Sequence, residues 1–431
     1  MSYYVSGATR SYIKDSSWSF AELDRAQTSY LTHDYHRYPA KFIPQLACRL
    51  IEENSQPGDL IYDPFTGSGT TLVEAIINGR SAYGADINPI AVLISRAKTT
   101  PIEPNYLECK VSSVLAQIKM RLLNENEHTQ FIFDKFCTMT PDHNRIDYWF
   151  PKKQKHDLAI ILSEISRVEN QHIRSFLLCG FSNILKGCSR WMMKSIKPTK
   201  DENKIIAEVF KSFITQIYRM LRKNEEFWNI VGKKRAECLV HYCDARKISI
   251  RNNSVKLLIT SPPYVTSYEY ADLHQLTAIW LGYLTKLHEF RSKFIGSVKK
   301  SDCQVDLVSD LGIMIVNNLK SINTRQAKSV ERYFFDMQQC FFEMYRVLEN
   351  DGRVCIVIGN TELRKVRIQN AEVFIQIMEK AGFRVNKIIE RSILNRILPL
   401  TRDKTTGRFT TKNTADRLAY PTEYIIIMDK I

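Results

Sequence analysis

Short apolar runs that end at acidic or turn residues alternate with helical stretches over much of this sequence. The clearest example is a strand predicted over 59–63, which leads through a glycine-rich turn into a helix predicted over 70–79. Strand–helix alternation builds a mostly parallel sheet with helices on both faces. The sequence therefore predicts an α/β, doubly wound domain. Further strands are predicted over 82–86, 238–243, 256–260, 353–359, 383–391 and 423–429, and further helices over 90–98, 330–348 and 371–381.

Between residues 99 and 236 the strand pattern disappears and helical periodicity replaces it, with Lys and Arg throughout. We therefore predict a helical insertion over 99–236. It lies between an N-terminal part, 1–98, and a C-terminal part, 237–431, of one sheet domain. The periodicity of the insertion is clearest over 158–168, 173–185 and 204–221.

Two polar, basic stretches in the C-terminal part, 290–328 and 392–420, are predicted to be irregular loops. The second lies between the predicted strands 383–391 and 423–429, which have no helix between them. Parallel neighbours need a long crossover connection that is usually helical, so this pair predicts an antiparallel terminal strand.

The charge balance points to a polyanionic partner. Lys and Arg number 61 against 46 Asp and Glu, which gives a formal net charge of +15. Nucleic acid is the commonest such partner, although an anionic membrane surface or mere solubility remains an alternative. No secretory signal or apolar run of about 18 residues is present, which predicts a cytoplasmic protein without a membrane span. The ten Cys contain no C-x-x-C pair, so no metal site is predicted.

A glycine-rich segment follows the first clear strand and opens a helix. It reads Asp63-Pro64-Phe65-Thr66-Gly67-Ser68-Gly69-Thr70-Thr71, and Asp86 ends the next predicted strand. Glycines let the backbone approach a ligand closely at the carboxyl ends of parallel strands. An acidic side chain there can accept hydrogen bonds from the hydroxyl groups of a ribose. The segment lacks the Gly-Lys pair of a phosphate-cradling loop, which excludes a nucleoside triphosphatase. The alternatives are a structural turn at the glycines and a helix cap at Asp86.

A second motif, Thr260-Ser261-Pro262-Pro263-Tyr264, follows another apolar strand. Two consecutive prolines fix a stiff loop, because neither can continue a sheet. The ring that follows can stack on a planar base, and the Ser261 hydroxyl and the Pro262 carbonyl can accept hydrogen bonds from an exocyclic amine. The alternative is an ordinary turn with a packed Tyr264.

Together these motifs resemble those of the DNA amino-methyltransferases, which use S-adenosyl-L-methionine to methylate cytosine N4 or adenine N6. The segment 36–44, the Cys243-Asp244-Ala245-Arg246 segment, Gly359-Asn360 and the 421–427 strand also resemble family elements, so the likeness covers about 32–97 and 237–431. It implies a Rossmann-like methyltransferase sheet. The cofactor-binding residues that it implies are Lys41, Asp63, Phe65, Gly67, Gly69, Thr70, Thr71, Asp86, Asn88 and Asp244, and the catalytic residues are Ser261, Pro262, Pro263 and Tyr264.

In the resembled family, Ser at the first position of the second motif is associated mainly with N4-cytosine enzymes. Ser261 therefore favours N4 of cytosine as the target atom. The resemblance implies that the base lies in duplex DNA and is flipped out of the helix for methylation. It also implies a restriction–modification system, with a cognate restriction endonuclease as the partner. Adenine N6, an RNA guanine-N2 activity and a nucleic-acid-binding pseudoenzyme remain alternatives. A cytosine C5 enzyme is excluded, because no Pro is followed by Cys. The insertion and both predicted loops are candidates for DNA recognition, and Tyr268, Tyr270 and Asp272 are expected to border the base pocket.

Overall fold

The computed structural model describes residues 11–24, 26–39, 41–127, 139–195, 197–232, 236–265, 270–284, 286–297, 305–393, 401–403, 409–410, 415–418 and 422–431. Its strands are β1 (Ile13–Lys14), β2 (Leu60–Asp63), β3 (Ser81–Asp86), β4 (Cys238–Tyr242), β5 (Val255–Thr260), β6 (Leu348–Ile358), β7 (Thr361–Leu363), β8 (Val366–Ile368), β9 (Phe383–Ser392), β10 (Thr401–Asp403), β11 (Phe409–Thr410), β12 (Ala415–Leu418) and β13 (Thr422–Lys430). Its α-helices are α1 (Pro44–Asn54), α2 (Thr70–Ile77), α3 (Pro89–Thr99), α4 (Pro104–Glu127), α5 (Ile146–Trp149), α6 (Lys152–Ser166), α7 (Gln171–Ile184), α8 (Val209–Val231), α9 (Tyr270–Leu273), α10 (Gln275–Trp280), α11 (Leu287–Arg291), α12 (Asp310–Lys320), α13 (Thr324–Val347) and α14 (Asn370–Ala381).

The main sheet has the strand order β1-β9-β13-β6-β5-β2-β3-β4. Every neighbouring pair in it is parallel except the two pairs that β13 makes, with β6 and with β9. The chain builds the sheet outwards from β2 in both directions. The strands β3 and β4 lie on one side of β2, and the later strand β5 lies on the other side. This is the doubly wound α/β arrangement that the sequence predicts, and the antiparallel terminal strand is confirmed.

Both faces of the sheet are covered by helices, as the alternation of side chains along a strand requires. Ile425 and Ile427 of β13 belong to a core cluster that also holds Leu46 and Leu50 of α1. The intervening Ile426 belongs to the opposite cluster, together with side chains of α12, α13 and α14. Continuous apolar runs therefore identify strands that are buried on both faces.

The helices near the glycine-rich segment begin where local chemistry predicts. Pro89 is the first residue of α3, and the Asn88 side chain accepts a hydrogen bond from the Ile90 N–H. Gly69 precedes α2 with φ at +75°. The predicted end of this helix near Gly79 also holds, since Gly79 has φ at +74°. These features fix how the chain leaves β2 and β3.

The predicted insertion contains α4 to α8, and apart from an isolated bridge between Trp191 and Lys200 its described residues form no strand. Its helices pack onto the sheet domain, since Phe176 of α7 and Phe213 of α8 share a core cluster with Ile94 of α3. Trp280 is buried in the same cluster. The boundaries 1–98, 99–236 and 237–431 stay a prediction.

The prediction of irregular loops over 290–328 and 392–420 is wrong for the described residues. α12 lies inside the first range and buries Ile315 and Leu319, and Ser309 and Asn323 cap α12 and α13. The second range contains β10, β11 and β12, which form a small antiparallel sheet. The polar composition of both ranges hid these short elements. Residues 298–304 lie outside the described residues.

Candidate active site

The predicted motifs meet at one edge of the sheet, beyond the carboxyl ends of β2, β3 and β5. The glycine-rich segment 63–71 leaves β2, Asp86 ends β3, and Ser261 follows β5 directly. Because these strands are parallel neighbours, their ends lie side by side. In open α/β sheets, ligands bind at such an edge where the strand order reverses.

Two glycines shape the loop that follows β2. Gly67 and Gly69 have φ at +48° and +75°, in the left-handed region that glycine adopts without strain. A Cβ atom on Gly69 would lie 3.0 Å from Ser95 Oγ, and one on Gly67 would lie 3.3 Å from the Tyr38 ring. The loop therefore needs glycine both for its backbone angles and for its close contacts.

Asp63 links the two motifs. Its Oδ1 accepts hydrogen bonds from the Thr260 hydroxyl at 2.6 Å and from the Phe65 N–H at 3.1 Å. Thr260 is the residue before Ser261, so this buried contact ties the start of the glycine loop to the start of the proline motif. Burial raises the pKa of the Asp63 carboxyl to about 6.

Asp86 holds the loop from the neighbouring strand. Its Oδ2 accepts the Gly67 N–H at 2.9 Å, and its Oδ1 accepts the Asn88 N–H at 2.8 Å. Burial raises the pKa of Asp86 to about 6. The alternative that Asp86 caps the following helix is wrong, because Asn88 is the N-cap of α3.

The side chains at the end of β3 fit the sugar of a nucleoside. Asp86 is partly exposed and offers carboxylate oxygens, while the Asn88 amide nitrogen is buried without a hydrogen-bond partner in the described part of the chain. The buried Thr66 hydroxyl likewise has no partner there. A ligand with hydroxyl groups would satisfy such donors and acceptors, which agrees with the predicted cofactor.

Three further residues predicted to bind the cofactor have other contacts. The carboxylate of Asp244, beyond β4, accepts hydrogen bonds from the Arg246 guanidinium, with Nη2 2.7 Å from Oδ2. Lys41 Nζ lies 3.4 Å from the His33 carbonyl oxygen. Thr70 Oγ1 lies 3.3 Å from Ser68 Oγ. Thr71, on the same turn of α2, is fully buried.

The proline motif is held from two distant elements. Tyr333 of α13 donates its hydroxyl hydrogen to the Pro263 carbonyl at 2.8 Å. Tyr264 donates its hydroxyl hydrogen to Glu423 Oε1 of β13 at 2.9 Å. A Cβ atom on Gly359 would lie 3.2 Å from the Tyr264 ring, so the ring rests on the end of β6. Pro262 is buried, and Ser261 is partly exposed at the sheet edge.

Sequence reasoning missed several residues beside these motifs. Tyr38 lies beside Gly67 of the glycine loop, and its ring packs at a tilt of 30° against the buried His274 ring, with 4.8 Å between the centroids. Burial lowers the pKa of His274 to about 4. Tyr333 and Glu423 also went unassigned, although Glu423 lies in the terminal segment that resembles the family. Tyr38 and Glu423 lie in segments that resemble family elements, but no local pattern indicates their contacts, because each contact is with a distant segment.

The expected border of the base pocket is described only in part. Tyr268 and the side chain of Tyr270 lie outside the described residues. Asp272 is described, and its carboxylate accepts a hydrogen bond from Arg291 at 2.6 Å. Its place at the pocket stays a prediction.

The described residues were also searched for a metal site and a membrane span. They contain no group of His, Cys, Asp or Glu side chains that could hold a metal ion. None of their helices combines the length and the apolar character needed to cross a membrane.

The fold defines an α/β, Rossmann-like protein of the methyltransferase type. A sequence profile of the DNA methylase family that covers N6 and N4 enzymes matches residues 6–96 and 255–430. The chain is 28% identical over 399 residues to the Type II methyltransferase M.MvaI of Kocuria varians, covering 86% of each chain. It is 40% identical over 65 residues to the DNA adenine methyltransferase YhdJ of Escherichia coli, 15% of this chain and 22% of that one. A solved S-adenosylmethionine-dependent methyltransferase of Methanosarcina mazei is 10% identical, with coverage of 92% and 99% and a TM-score of 0.32.

The chain belongs to this family of DNA amino-methyltransferases. Membership confirms the predicted family, the class of reaction, S-adenosylmethionine as the methyl donor and DNA as the substrate. The roles of individual residues stay predictions.

Proposed function

We propose that this enzyme transfers a methyl group from S-adenosylmethionine to the exocyclic N4 of cytosine in duplex DNA, at the Ser261–Tyr264 motif. The observation that carries the proposal is the buried hydrogen bond between Thr260 and Asp63. It supports the proposal because it joins the start of the proline motif to the start of the glycine loop. A methyl donor in the loop and an amine at Ser261 would then be neighbours at the same sheet edge.

The chemistry at the proline motif requires positioning rather than a covalent intermediate. The Ser261 hydroxyl and the Pro262 carbonyl accept hydrogen bonds from the cytosine amine and orient its lone pair. The Tyr264 ring stacks on the base, which is worth about 1–3 kcal/mol. That stacking offsets part of the few kcal/mol that extruding the base from the duplex costs. Holding the reactants in line supplies most of the acceleration.

The cofactor would be held along the ends of β2, β3 and β4, and when bound it supplies the electrophilic methyl group. Asp86 and Asn88 would bind the ribose hydroxyls, and Gly67 and Gly69 would let the backbone approach the ligand. The adenine end would lie towards Asp244, and the methionine end towards Lys41. Phe65, Asp63, Thr70 and Thr71 complete the predicted set around the loop.

The positive charge of the chain supports duplex DNA as the form of the substrate. A net charge of +15 attracts the phosphate backbone without regard to sequence. The helical insertion is the proposed target-recognition region, because its basic side chains could contact DNA phosphates. One of its helices, α8, carries four of them: Lys211, Arg219, Arg222 and Lys223. A cognate restriction endonuclease is the partner proposed for such an enzyme, as in a Type II restriction–modification system.

Mass spectrometry of nucleosides tests the proposal. Unmethylated DNA and RNA are each incubated with the purified protein and S-adenosylmethionine that carries a labelled methyl group, and are then digested to nucleosides. We expect label in N4-methylcytosine from DNA. Label found only in RNA, or in none of the nucleosides although the cofactor binds, would contradict the proposal.

Adenine N6 is the second candidate target, and the match to an adenine methyltransferase over 65 residues favours it. The same cofactor geometry and the same proline motif serve both amines, and a Ser at the first position adjusts the hydrogen bonds without identifying the base. Label in N6-methyladenine in the same experiment would select this candidate and would overturn the use of Ser261 as an indicator of cytosine.

A further inference from the structure

The hydroxyl of Tyr264 has a partner on the terminal strand of the sheet. It donates a hydrogen bond to Glu423 Oε1 at 2.9 Å, across 159 residues of chain. Stacking on a base needs only an aromatic ring, since every base offers a flat face. The hydroxyl and its carboxylate partner must therefore serve another purpose than the stacking itself.

Glu423 lies near the start of β13, which is an inner strand of the main sheet. β13 pairs with β9 from Thr422 to Lys430 and with β6 from Tyr424 to Asp429, so Glu423 itself is paired with β9. Tyr264, by contrast, lies on a loop beyond the end of β5. A group on a doubly paired central strand is a better fixed point than any group on the loop, because rigid elements hold side chains more precisely.

A buried arginine lies beside Glu423. Arg391 is the cross-strand neighbour of Glu423 in the pairing of β9 with β13, and its side chain is only 5% exposed. Its Nε lies 3.9 Å from Glu423 Oε2, and within the described residues neither its Nε nor its Nη1 has a hydrogen-bond partner. The guanidinium stays charged, so Glu423 is the nearby anion that compensates it.

We propose that Glu423 is a positioning residue that orients the Tyr264 ring towards the target base through the tyrosine hydroxyl, with Arg391 fixing the Glu423 carboxylate. This inference rests on the proposed function, because it assigns Tyr264 to the base. In this role Glu423 acts through the tyrosine hydroxyl and not by contact with the base or the methyl donor. The hydrogen bond restricts the orientation of the Tyr264 ring before the base binds.

The contribution appears in the transfer step. A ring that is already oriented loses less conformational entropy when the base binds. A small misplacement of the reacting groups lowers the rate of transfer strongly. Cofactor binding at β2 and β3 does not involve this contact. Loss of the hydrogen bond should therefore slow transfer and leave the affinity for S-adenosylmethionine unchanged.

A double-mutant cycle on Tyr264→Phe and Glu423→Ala tests the coupling. The rate constant of methyl transfer is measured in a single turnover on unmethylated genomic DNA with tritiated S-adenosylmethionine, and cofactor affinity is measured by calorimetry. We expect each single change to slow transfer by about tenfold, with no change in cofactor affinity. The double variant should be no slower than either single variant, because both changes remove one and the same contact.

Glu423→Gln and Glu390→Gln provide the conservative and the control variants. The amide oxygen of Gln still accepts the tyrosine hydroxyl, so we expect Glu423→Gln to lose only about two- to threefold. Glu390 is the neighbour of Arg391 on β9 and faces the other side of the sheet. Glu390→Gln makes the same change of charge and should transfer at the unmodified rate. If loss of the Glu423 charge beside Arg391 prevents the Glu423 variants from folding, Tyr264→Phe carries the test, since it keeps the packing and the ion pair.

Two results overturn the inference. One is a Tyr264→Phe variant that transfers as fast as the unmodified protein. The other is a double variant whose loss is the product of the two single losses, which would show that the residues act separately. Failure of the proposed function looks different, because the unmodified protein itself would then leave neither methylated cytosine nor methylated adenine in DNA.

Discussion

The two halves of the candidate site are held together in different ways. Around the glycine loop the contacts are short in sequence, since Asp86 binds Gly67 and Asn88, and Asp63 binds Phe65. Around the proline motif they are long, since Pro263 is bound by Tyr333 and Tyr264 is bound to Glu423. The first half is thus specified by one strand–loop–helix unit and the strand after it. The second exists only once the whole sheet has assembled.

This difference predicts which properties separate on mutation. Cofactor binding should depend on the local half and survive damage to the distant contacts. Methyl transfer should depend on both halves, because it needs the cofactor and a correctly placed base. The hydrogen bond between Thr260 and Asp63 is the place where the halves meet.

The largest expected effect comes from Tyr264→Ala, which should abolish most methyl transfer without affecting cofactor binding. Removing the ring takes away the stacking surface for the extruded base. We expect methyl transfer to fall by about hundredfold or more, while S-adenosylmethionine binds as before. Tritium transfer and calorimetry measure the two quantities. Tyr106→Ala, at an exposed tyrosine of α4, is the control. Unchanged transfer by Tyr264→Ala would refute the stacking role.

Gly69→Ala should damage the local half. The new Cβ atom would lie 3.2 Å from the Ser95 Cα on a backbone with φ at +75°, so the loop must move. Such strain costs about 1–3 kcal/mol, and we expect the affinity for S-adenosylmethionine to fall about tenfold or more. Gly58→Ala is the matched control, because Gly58 also has positive φ but open space around it. Equal losses of affinity in both variants would mean that the close contact with Ser95 is irrelevant.

Thr260→Val tests the junction of the halves. The change keeps the shape of the buried side chain and removes the hydroxyl that donates a hydrogen bond to Asp63. At pH 7.5 we expect the free energy of unfolding to fall by about 1.5–3 kcal/mol, as for other hydrogen bonds to charged groups. Thr66→Val, which removes a buried hydroxyl without a partner in the described part of the chain, should cost less in the same urea titration. If Thr66→Val costs as much, the Asp63 contact does not join the halves.

The smallest predicted effect is a pH dependence of cofactor binding. Burial raises the pKa of Asp86 to about 6, so the carboxylate is charged at pH 7.5 and largely protonated at pH 5. The charged form accepts hydrogen bonds from both ribose hydroxyls, and we expect affinity to fall by about tenfold as the pH falls through 6. Asp86→Asn should bind weakly at both pH values, with most of the dependence lost. The same pH slope in that variant would assign the titration to another group, such as Asp63.

Much of the local half could be predicted from the sequence. The strands β2, β3 and β5 and the helix α3 end or begin within a few residues of the predicted positions. Apolar runs, glycines and Pro89 act over a few residues, so their consequences can be worked out without knowing the rest of the fold. The place of Asp63 and Asp86 at one sheet edge follows from the parallel order of the strands alone.

The distant half could not be predicted in this way. Nothing in the segment around Glu423 indicates that its carboxylate meets a tyrosine 159 residues earlier. The ion pair of Asp244 with Arg246 is different, since the two residues are only two positions apart, but the sequence alone does not show that their side chains meet. α12 was missed because its polar face gave the whole range 290–328 the composition of a loop.

The place of β13 between β6 and β9 has a consequence for the order in which the protein is made. Both neighbours leave the ribosome before the strand that joins them, so the gap between them stays open until residues 422–430 follow. A nascent chain that has reached only β9 already holds the glycine loop, Asp86 and the proline motif, but it lacks Glu423. In the role that we propose for Glu423, completion of the sheet and orientation of Tyr264 therefore both depend on the addition of β13.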